Sequence, residues 1–180
     1  MQTCIALFRG INVGGNNTLS MKDLVALLES LGLDRVRTCL QSGNAVFRTA
    51  EDDRRHLASA IRSAIGKQYS FEPAVLLLTV AEMEQAVAAI PFLDAVNEPA
   101  TLHLGFLDAV PEHPDREGLE KLRNGSERYE LKGNVFYLHA PDGTGRSKLA
   151  AGAERLLGVP MTGRNWRTVG KILVLAKKEP

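Results

Sequence analysis

Apolar and polar positions in the first 79 residues follow two distinct periods, and each period predicts one kind of element. Short apolar runs bounded by glycine or polar residues predict strands at 3–9, 36–41, 44–48 and 74–78. Apolar residues that recur every three or four positions predict helices at 20–31 and about 52–65. The first helix begins with a capping-box-like pair, Ser20 and Asp23. The resulting order is βαββαβ, which is the ferredoxin-like pattern.

The remaining residues repeat much of this order. The pattern predicts a helix at 81–90, capped by Thr79 and ended by Pro91. A second series then follows, with a strand at 101–107, a helix at 116–123, strands at 127–131 and 135–139, and a helix at 147–157. The last segment, 168–176, fits two alternatives. Its apolar spacing suits a helix, whereas the run 172–175 also suits the final strand of a second repeat.

These patterns predict an α+β protein built from two halves. Residues 1–79 form the ferredoxin-like half, and residues 80–180 form a second, diverged α+β half of similar order with a basic C-terminal segment. The hairpin turns of the two halves resemble each other, with Ser42-Gly43-Asn44 in the first and Lys132-Gly133-Asn134 in the second. We interpret this resemblance as a diverged duplication.

Composition changes this picture little. Hydrophobic residues make up 44% of the chain and charged residues 24%, as in ordinary globular proteins. No apolar run approaches the roughly 20 residues that span a bilayer, and the N-terminus lacks the pattern of a signal peptide. We therefore expect a soluble, cytoplasmic protein without membrane contact. Cys4 and Cys39 lie in apolar runs and are expected to be buried thiols, and no spacing indicates a metal or cofactor site.

Charge is distributed unevenly, although the net charge is only +1. Residues 146–178 carry eight basic residues against one acidic residue, a charge of +7, so the rest of the chain carries −6. This asymmetry indicates an anionic partner for the C-terminal segment. The alternative is a solvated helical face, or contact with the acidic remainder of the same protein.

Two polar loops are expected to meet at one edge of the first sheet. In the ferredoxin-like strand order 4-1-3-2, the loop 9–17 after the first strand lies beside the turn 41–44. Glycine lets the backbone approach a ligand, and Arg9 can hold a phosphate or carboxylate in a bidentate fork. The alternative is a structural loop whose asparagines hydrogen-bond their own backbone. The candidate ligand-binding residues at this edge are Arg9, Asn12, Gly14, Gly15, Gln41, Ser42 and Asn44.

Two further motifs lie near the C-terminus. The run 145–148 follows a strand and opens a helix, where an anion is favoured, although its glycine spacing does not match a nucleotide-triphosphate loop. Ser147 as an ordinary helix cap is the alternative. In the other motif, Trp166 either stacks on a ligand whose phosphates contact Arg164 and Lys171, or packs the C-terminal segment onto the body. The candidate ligand-binding residues here are Arg146, Ser147, Lys148, Arg164, Asn165, Trp166 and Lys171.

Three stretches together resemble a known bacterial family. They are 7–15, which reads Leu-Phe-Arg-Gly-Ile-Asn-Val-Gly-Gly, then 41–44, and then 145–148 with 164–169. On these motifs the chain resembles, over essentially its whole length, the family catalogued as domain of unknown function 1697. The resemblance implies a ferredoxin-like half, a second α+β half and a cytosolic bacterial protein, but no established activity, cofactor or catalytic residue. One departure is the segment 170–175, which is more strand-like than the family's helical tail.

No catalytic set emerges from the sequence, which has neither a GxSxG elbow nor an apparent Cys/His pair. The leading hypothesis is a protein that binds a phosphate-bearing or other anionic ligand, a nucleotide or a nucleic acid, at the Gly/Asn loops. The first alternative is a protein-interaction or structural module whose motifs clamp the two halves together. The second is an enzyme acting on a small anionic substrate. The pattern predicts neither the identity of the ligand nor the oligomeric state.

Overall fold

The computed structural model describes residues 1–178, which divide into two compact units. The first unit comprises residues 1–85 and 171–178, and the second comprises residues 86–170. The first unit begins with β1 (Gln2–Arg9), α1 (Met21–Ser30), β2 (Asp34–Thr38), β3 (Asn44–Thr49), α2 (Arg54–Tyr69) and β4 (Ala74–Thr79). The next helix, α3 (Val80–Ala88), contains the division between the units.

The second unit repeats the order of the first. Its elements are a 3₁₀ turn (Leu93–Asn97), β5 (Leu102–Leu107), α4 (Arg116–Leu122), β6 (Arg128–Lys132), β7 (Val135–His139), a 3₁₀ turn (Thr144–Arg146), α5 (Lys148–Leu157) and β8 (Met161–Asn165). A last helix, α6 (Trp166–Lys177), belongs to the second unit up to Gly170 and to the first unit from Lys171.

The first unit contains a four-stranded antiparallel sheet in the order β2-β3-β1-β4. Strand β1 pairs with β3 from Gln2↔Thr49 to Leu7↔Asn44, and with β4 along its other side. Read from the opposite edge, this is the order 4-1-3-2 expected of a ferredoxin-like half. The α+β class and the ferredoxin-like first half are therefore confirmed.

Strand β1 lies at the centre of the core of the first unit. Its residues Cys4, Ala6 and Phe8 belong to the cluster formed with the apolar faces of α1 and α2, and all three are fully buried. Ile5 and Leu7, which point to the other face of the sheet, are fully buried as well. Burial on both faces explains why β1 is a continuous apolar run rather than an alternating one.

The second unit contains an antiparallel sheet of the same design, in the order β6-β7-β5-β8. Its core cluster joins β5 and β7 to α4 and α5, with Leu107, Phe136 and Leu149 among the buried residues. The prediction of a second α+β half of similar order is confirmed. A duplication as the origin of the two halves stays our interpretation.

The structure decides between the two alternatives, helix or strand, that the sequence left open for residues 168–176. Residues 168–176 lie within the helix α6, so the alternative of a strand at 172–175 is wrong. The last strand of the second sheet is instead β8, which pairs with β5. The pattern missed β8 because its five residues, Met-Thr-Gly-Arg-Asn, form no apolar run and only Thr162 among them is buried.

The boundary between the halves also differs from the expected one at residue 79. The first unit extends to Gln85. It also includes residues 171–178, which belong to the C-terminal segment that we assigned to the second half. Two contacts hold these residues within the first unit. Lys177 Nζ forms an ion pair with Glu84 Oε1 at 2.5 Å, and Arg37 Nη2 donates to the carbonyl oxygen of Lys178 at 3.3 Å.

The start of α3 is fixed by a capping box tied to the neighbouring helix. The backbone N–H of Glu82 donates to Thr79 Oγ1 at 3.1 Å, and the backbone N–H of Thr79 donates to Glu82 Oε2 at 2.7 Å. Arg54 of α2 donates to the same carboxylate at 2.5 Å. Burial raises the pKa of Glu82, but the hydrogen bonds from Thr79 and Arg54 outweigh it, so the pKa lies below its ordinary value.

We expect Glu82→Gln to lower the free energy of unfolding by about 1 kcal/mol at neutral pH, because the amide loses the charge-assisted bonds of this cap. A depressed carboxyl pKa stabilises the fold above its unfolded value of 4.5, and the stabilisation is lost as the pH falls through the folded value. The difference between parent and variant should therefore shrink in acid. Urea unfolding at neutral pH and at about pH 3 measures it.

The control for this prediction is Glu29→Gln, which changes an exposed carboxylate on α1 that has no side-chain partner within residues 1–178. It should leave stability within about 0.5 kcal/mol of the parent at both pH values. A stability loss in Glu82→Gln that is equal at both pH values would show that the carboxylate charge is not what stabilises this cap.

Candidate functional site

The two polar loops of the first unit meet as the topology predicted. The side chain of Asn12 joins them: its Nδ2 donates to the carbonyl oxygen of Gln41 at 2.9 Å and to that of Leu19 at 2.8 Å. Its Oδ1 accepts from the backbone N–H of Leu19 at 2.8 Å. Asn12 therefore makes three of the four hydrogen bonds that an amide side chain can form, all with backbone groups, within one loop or between the two.

Loop 9–17 is a small hairpin rather than an open cradle. Val13 and Asn16 form an isolated antiparallel bridge, in which the N–H of Asn16 donates to the Val13 carbonyl at 3.0 Å. Gly14 and Gly15 between them have φ angles of +57° and +79°. Two successive positive φ angles are characteristic of a two-residue type I′ turn. The glycines thus have a conformational role in this tip, and ligand binding by Gly14 and Gly15 stays a prediction.

The turn 41–44 packs tightly against the first loop. The N–H of Phe8 donates to the carbonyl of Gly43 at 2.9 Å, and Asn44 Nδ2 donates to the Cys39 carbonyl at 2.8 Å and lies 3.2 Å from Ser42 Oγ. Gly43 has φ +78°, and a Cβ atom there would lie only 2.5 Å from Ile11 Cδ1. Glycine is therefore required at this position by both the backbone angle and the close approach of the two loops.

The outer surface of this edge offers Arg9, Gln41 and Ser42, which are all exposed. Asn12 is half-buried and Asn44 is 1% exposed, and both are engaged by the backbone. The juxtaposition of the two loops is confirmed, whereas ligand binding by their residues stays a prediction. The hydrogen bonds on Asn12 and Asn44 match the structural alternative for these two amides.

The motif 145–148 opens α5 in the second unit. Ser147 is the N-cap residue, 5% exposed, and its hydroxyl accepts from the backbone N–H of Ala150 at 2.9 Å. Arg146 and Lys148 flank it and are exposed. Ser147 therefore has the capping role that we gave as its alternative, and anion binding by the two cations stays a prediction.

The motif 164–167 lies where β8 passes into α6. Asn165 Oδ1 accepts from the backbone N–H of Thr168 at 2.9 Å, which makes it the cap of α6. Arg164 is half-buried, and burial lowers its pKa to about 10, so the guanidinium remains charged at neutral pH. Trp166 is half-buried at the first position of the helix. Stacking by Trp166 and phosphate contact by Arg164 stay predictions.

Lys171 lies in the first unit, close to the end of β2. Burial raises the pKa of the Cys39 thiol, and the positive charge of Lys171 opposes that rise. The lysine is exposed. Lys171, the first residue of α6 that belongs to the first unit, therefore lies near Cys39, the residue after β2.

The first unit also contains a basic groove, which the sequence patterns did not predict. Phe47 points into the core formed with α1 and α2, so Arg48, the next residue of β3, points to the other face of the sheet. Arg37 of β2 lies on that face too, because it pairs with Val46, and Arg35 lines the groove beside them. The last residues of α6 close the groove, whose volume is about 390 Å³. Its lining is Thr3, Arg35, Arg37, Val46, Phe47, Arg48, Ala176, Lys177 and Lys178.

Positive charge dominates this basic groove. Two of its five cations have a carboxylate nearby: Arg35 Nε lies 3.6 Å from Asp34 Oδ2, and Lys177 pairs with Glu84. Within the described part of the chain, the side chains of Arg48 and Lys178 have no ion-pair partner, and Arg37 Nε is buried without any hydrogen-bond acceptor. A buried guanidinium nitrogen without an acceptor is unusual and calls for an anion or a water molecule.

The backbone of β2 is irregular where it meets the groove. The pairing of β2 with β3 shifts register between Asp34 and Arg37, and Arg35 has φ +53°. A left-handed conformation at a non-glycine residue costs roughly 1–2 kcal/mol. Bulges of this kind redirect side chains and occur often beside binding sites. Arg37 lies in the strand predicted at 36–41 and Arg35 directly precedes that strand, and this pair of arginines was the sequence signal for the groove.

Two kinds of feature are not found among residues 1–178. No three His, Cys, Asp or Glu side chains lie together in an arrangement that would hold a metal ion. No helix within these residues has the length and apolar character needed to cross a bilayer.

We expect Asn12→Ala to lower the free energy of unfolding by roughly 2 kcal/mol, because three hydrogen bonds to backbone are lost. Asn12 has φ +54°, so Asn12→Gly separates the two causes by removing the amide while tolerating the left-handed backbone. Asn16→Ala is the control, since Asn16 is exposed in the same loop and its side chain makes no hydrogen bond within the described residues. Urea unfolding compares the three variants, and parent-like stability of Asn12→Gly would contradict a structural role for the amide.

Comparison with known proteins supports this fold. The structure of the conserved bacterial protein SP0830 from Streptococcus pneumoniae is similar to this chain, with a TM-score of 0.70 and 25% sequence identity over 97% of this chain and 98% of that one. No curated protein matches the chain. The model of a protein family of unknown function, DUF1697, matches residues 1–137. The chain therefore belongs to the DUF1697 family, as the motifs of its loops indicated.

Proposed function

We propose that this protein binds a phosphate-bearing or similarly charged oxyanion ligand, and that the basic groove of the first unit is the binding site. The observation that carries the proposal is the convergence of five cations, from β2, β3 and the C-terminal end of α6 with the residue that follows it, on one groove. Within residues 1–178, two of these cations pair with a carboxylate. Like charges so arranged repel each other, and an anion between them removes that repulsion.

The types of cation support an oxyanion in particular. Three of the five are arginines, whose planar guanidinium groups donate in pairs to phosphate or carboxylate oxygens. Arg37 is already oriented, because its Nη2 donates to the carbonyl of Lys178 at the end of α6. A cation held in place loses little side-chain entropy when it binds a ligand.

The position of the basic groove accounts for part of the charge asymmetry of the sequence. Lys177 and Lys178 come from the C-terminal segment that carries +7, and α6 returns them to the first unit. There they meet Arg35, Arg37 and Arg48. We therefore propose that the anionic partner expected for the C-terminal segment binds in the basic groove.

Binding rather than catalysis is favoured by the chemistry of the lining. The nine lining residues include no carboxylate, histidine or thiol, which are the commonest general acids and bases. An enzyme would need such a group beside the bound anion. We therefore place binding ahead of the enzyme alternative.

A second proposal concerns the Gly/Asn motifs, which we regard as structural clamps within each unit. The side chains of Asn12, Asn44, Ser147 and Asn165 all bond to backbone close in sequence or in the adjacent loop. The stability prediction for Asn12 tests this role. It is independent of anion binding in the basic groove.

The double variant Arg35→Ala/Arg48→Ala tests the proposed function. We expect it to weaken the binding of inorganic phosphate or of a single-stranded oligonucleotide at low salt by at least about tenfold, because charge-assisted hydrogen bonds contribute roughly 1.5–3 kcal/mol each. Isothermal titration calorimetry measures the affinities. Binding of the parent should also weaken as salt is added.

The matched control is Arg55→Ala/Arg62→Ala, which also removes two arginine charges, but from α2 on the other side of the sheet. It should bind the anions as the parent does, and circular dichroism should show that both double variants are folded. The proposed function is wrong if neither probe binds the parent, or if the two double variants bind equally.

A further inference from the structure

The lining of the basic groove indicates which part of a phosphate-bearing ligand it contacts. Its five charged side chains can only donate hydrogen bonds, and the hydroxyl of Thr3 is the one side chain in the lining that can also accept from the edge of a nucleotide base. Its one aromatic residue, Phe47, is 1% exposed and points into the core with α1 and α2, so it offers no stacking surface. Stacking on aromatic side chains is the usual means of holding unpaired bases.

The amount of charge in the basic groove matches more than one phosphate. Among residues 1–178, the five cations and the two carboxylates that pair with them give the basic groove a charge of +3. One phosphate ester carries roughly −1.5 to −2 at neutral pH, so two adjacent phosphate groups carry about −3 to −4. A single phosphate leaves part of the positive charge uncompensated, whereas a pair comes close to neutrality.

The cations lie on two sides of the basic groove. Arg35, Arg37 and Arg48 belong to the sheet, while Lys177 is the last residue of α6 and Lys178 directly follows that helix. The volume of about 390 Å³ is at the lower end of the range for small-ligand sites, about 300–1,000 Å³. The basic groove is thus suited to a compact ligand that is contacted from both sides.

We infer that the basic groove recognises two adjacent phosphate groups of a small ligand, a pyrophosphate-type group, and makes no specific contact with a base. The inference rests on the proposed function and narrows its ligand class. Arg48 contacts one phosphate from the sheet and Lys178 contacts the other from α6. Arg37, whose Nη2 donates to the Lys178 carbonyl, links the two sides of the groove.

Calorimetric titration of the full chain with four probes tests this inference: inorganic phosphate, inorganic pyrophosphate, ADP and a single-stranded oligonucleotide. We expect pyrophosphate to bind at least about tenfold more tightly than phosphate, because a second charge-assisted contact is made. ADP should bind within about threefold of pyrophosphate, since its base adds no stacking contact. Pyrophosphate should displace the oligonucleotide.

Single variants test the two sides of the groove separately. The measured quantity is the loss of pyrophosphate affinity relative to the loss of phosphate affinity, and a residue with only a structural role would lower both equally. Arg48→Ala and Lys178→Ala should each weaken pyrophosphate binding more than phosphate binding, because a single phosphate needs only one of the two sides. Lys178→Ala leaves the carbonyl that accepts from Arg37 in place. Arg55→Ala, on α2, should change neither affinity.

The outcomes separate this inference from the proposed function. Pyrophosphate that binds no more tightly than phosphate, or ADP that binds more than about tenfold more tightly than pyrophosphate, overturns the inference while anion binding stands. An oligonucleotide that pyrophosphate cannot displace overturns it in favour of a nucleic acid. If no probe depends on Arg35 and Arg48, the proposed function fails together with the inference.

Discussion

The antiparallel pairing of β1 with β3 and β4 is the interaction on which both candidate surfaces of the first unit depend. Residues from Cys4 to Phe8 are fully buried on both faces of the sheet, so a slip of one position would exchange their environments. At one end of β1, the pair Leu7↔Asn44 brings the turn 41–44 against loop 9–17. At the other end, the pair Thr3↔Arg48 sets Arg48 into the basic groove.

The polar loops and the basic groove differ in how far the fold satisfies their polar groups. In the loops, the amides of Asn12 and Asn44 already bond to backbone, so a ligand that used them would have to replace those bonds at a cost in stability. In the basic groove, arginine and lysine side chains face one another with few carboxylates between them. Unpaired charge indicates a ligand more directly than a polar composition does, and this is why we place the proposed function in the groove.

Local signals along the sequence were sufficient for most of the elements. The capping pair at α1 is present in the structure, where the N–H of Asp23 donates to Ser20 Oγ at 3.0 Å. Strands such as β1 and β4 were predictable because burial selects continuous apolar residues. Strand β8 was not, because it pairs through its backbone with β5 while its own side chains are mostly polar. The meeting of Asn12 with Gln41 followed from topology, but the bonds that occupy the Asn12 amide were visible only in three dimensions.

The sequence alone determined the order βαββαβ, the family, the polar loops and the excess of positive charge near the C-terminus. Each of these can be recognised from patterns or motifs of neighbouring residues. Only the tertiary structure decided where that charge acts. Arg37 and Lys178 are 141 positions apart, and they meet because α6 returns to the first unit. Strand alternation and register then place Arg48 on the same face as Arg37, and Arg35 lines the same groove. A groove assembled from such distant segments depends on packing, which no local pattern of residues specifies.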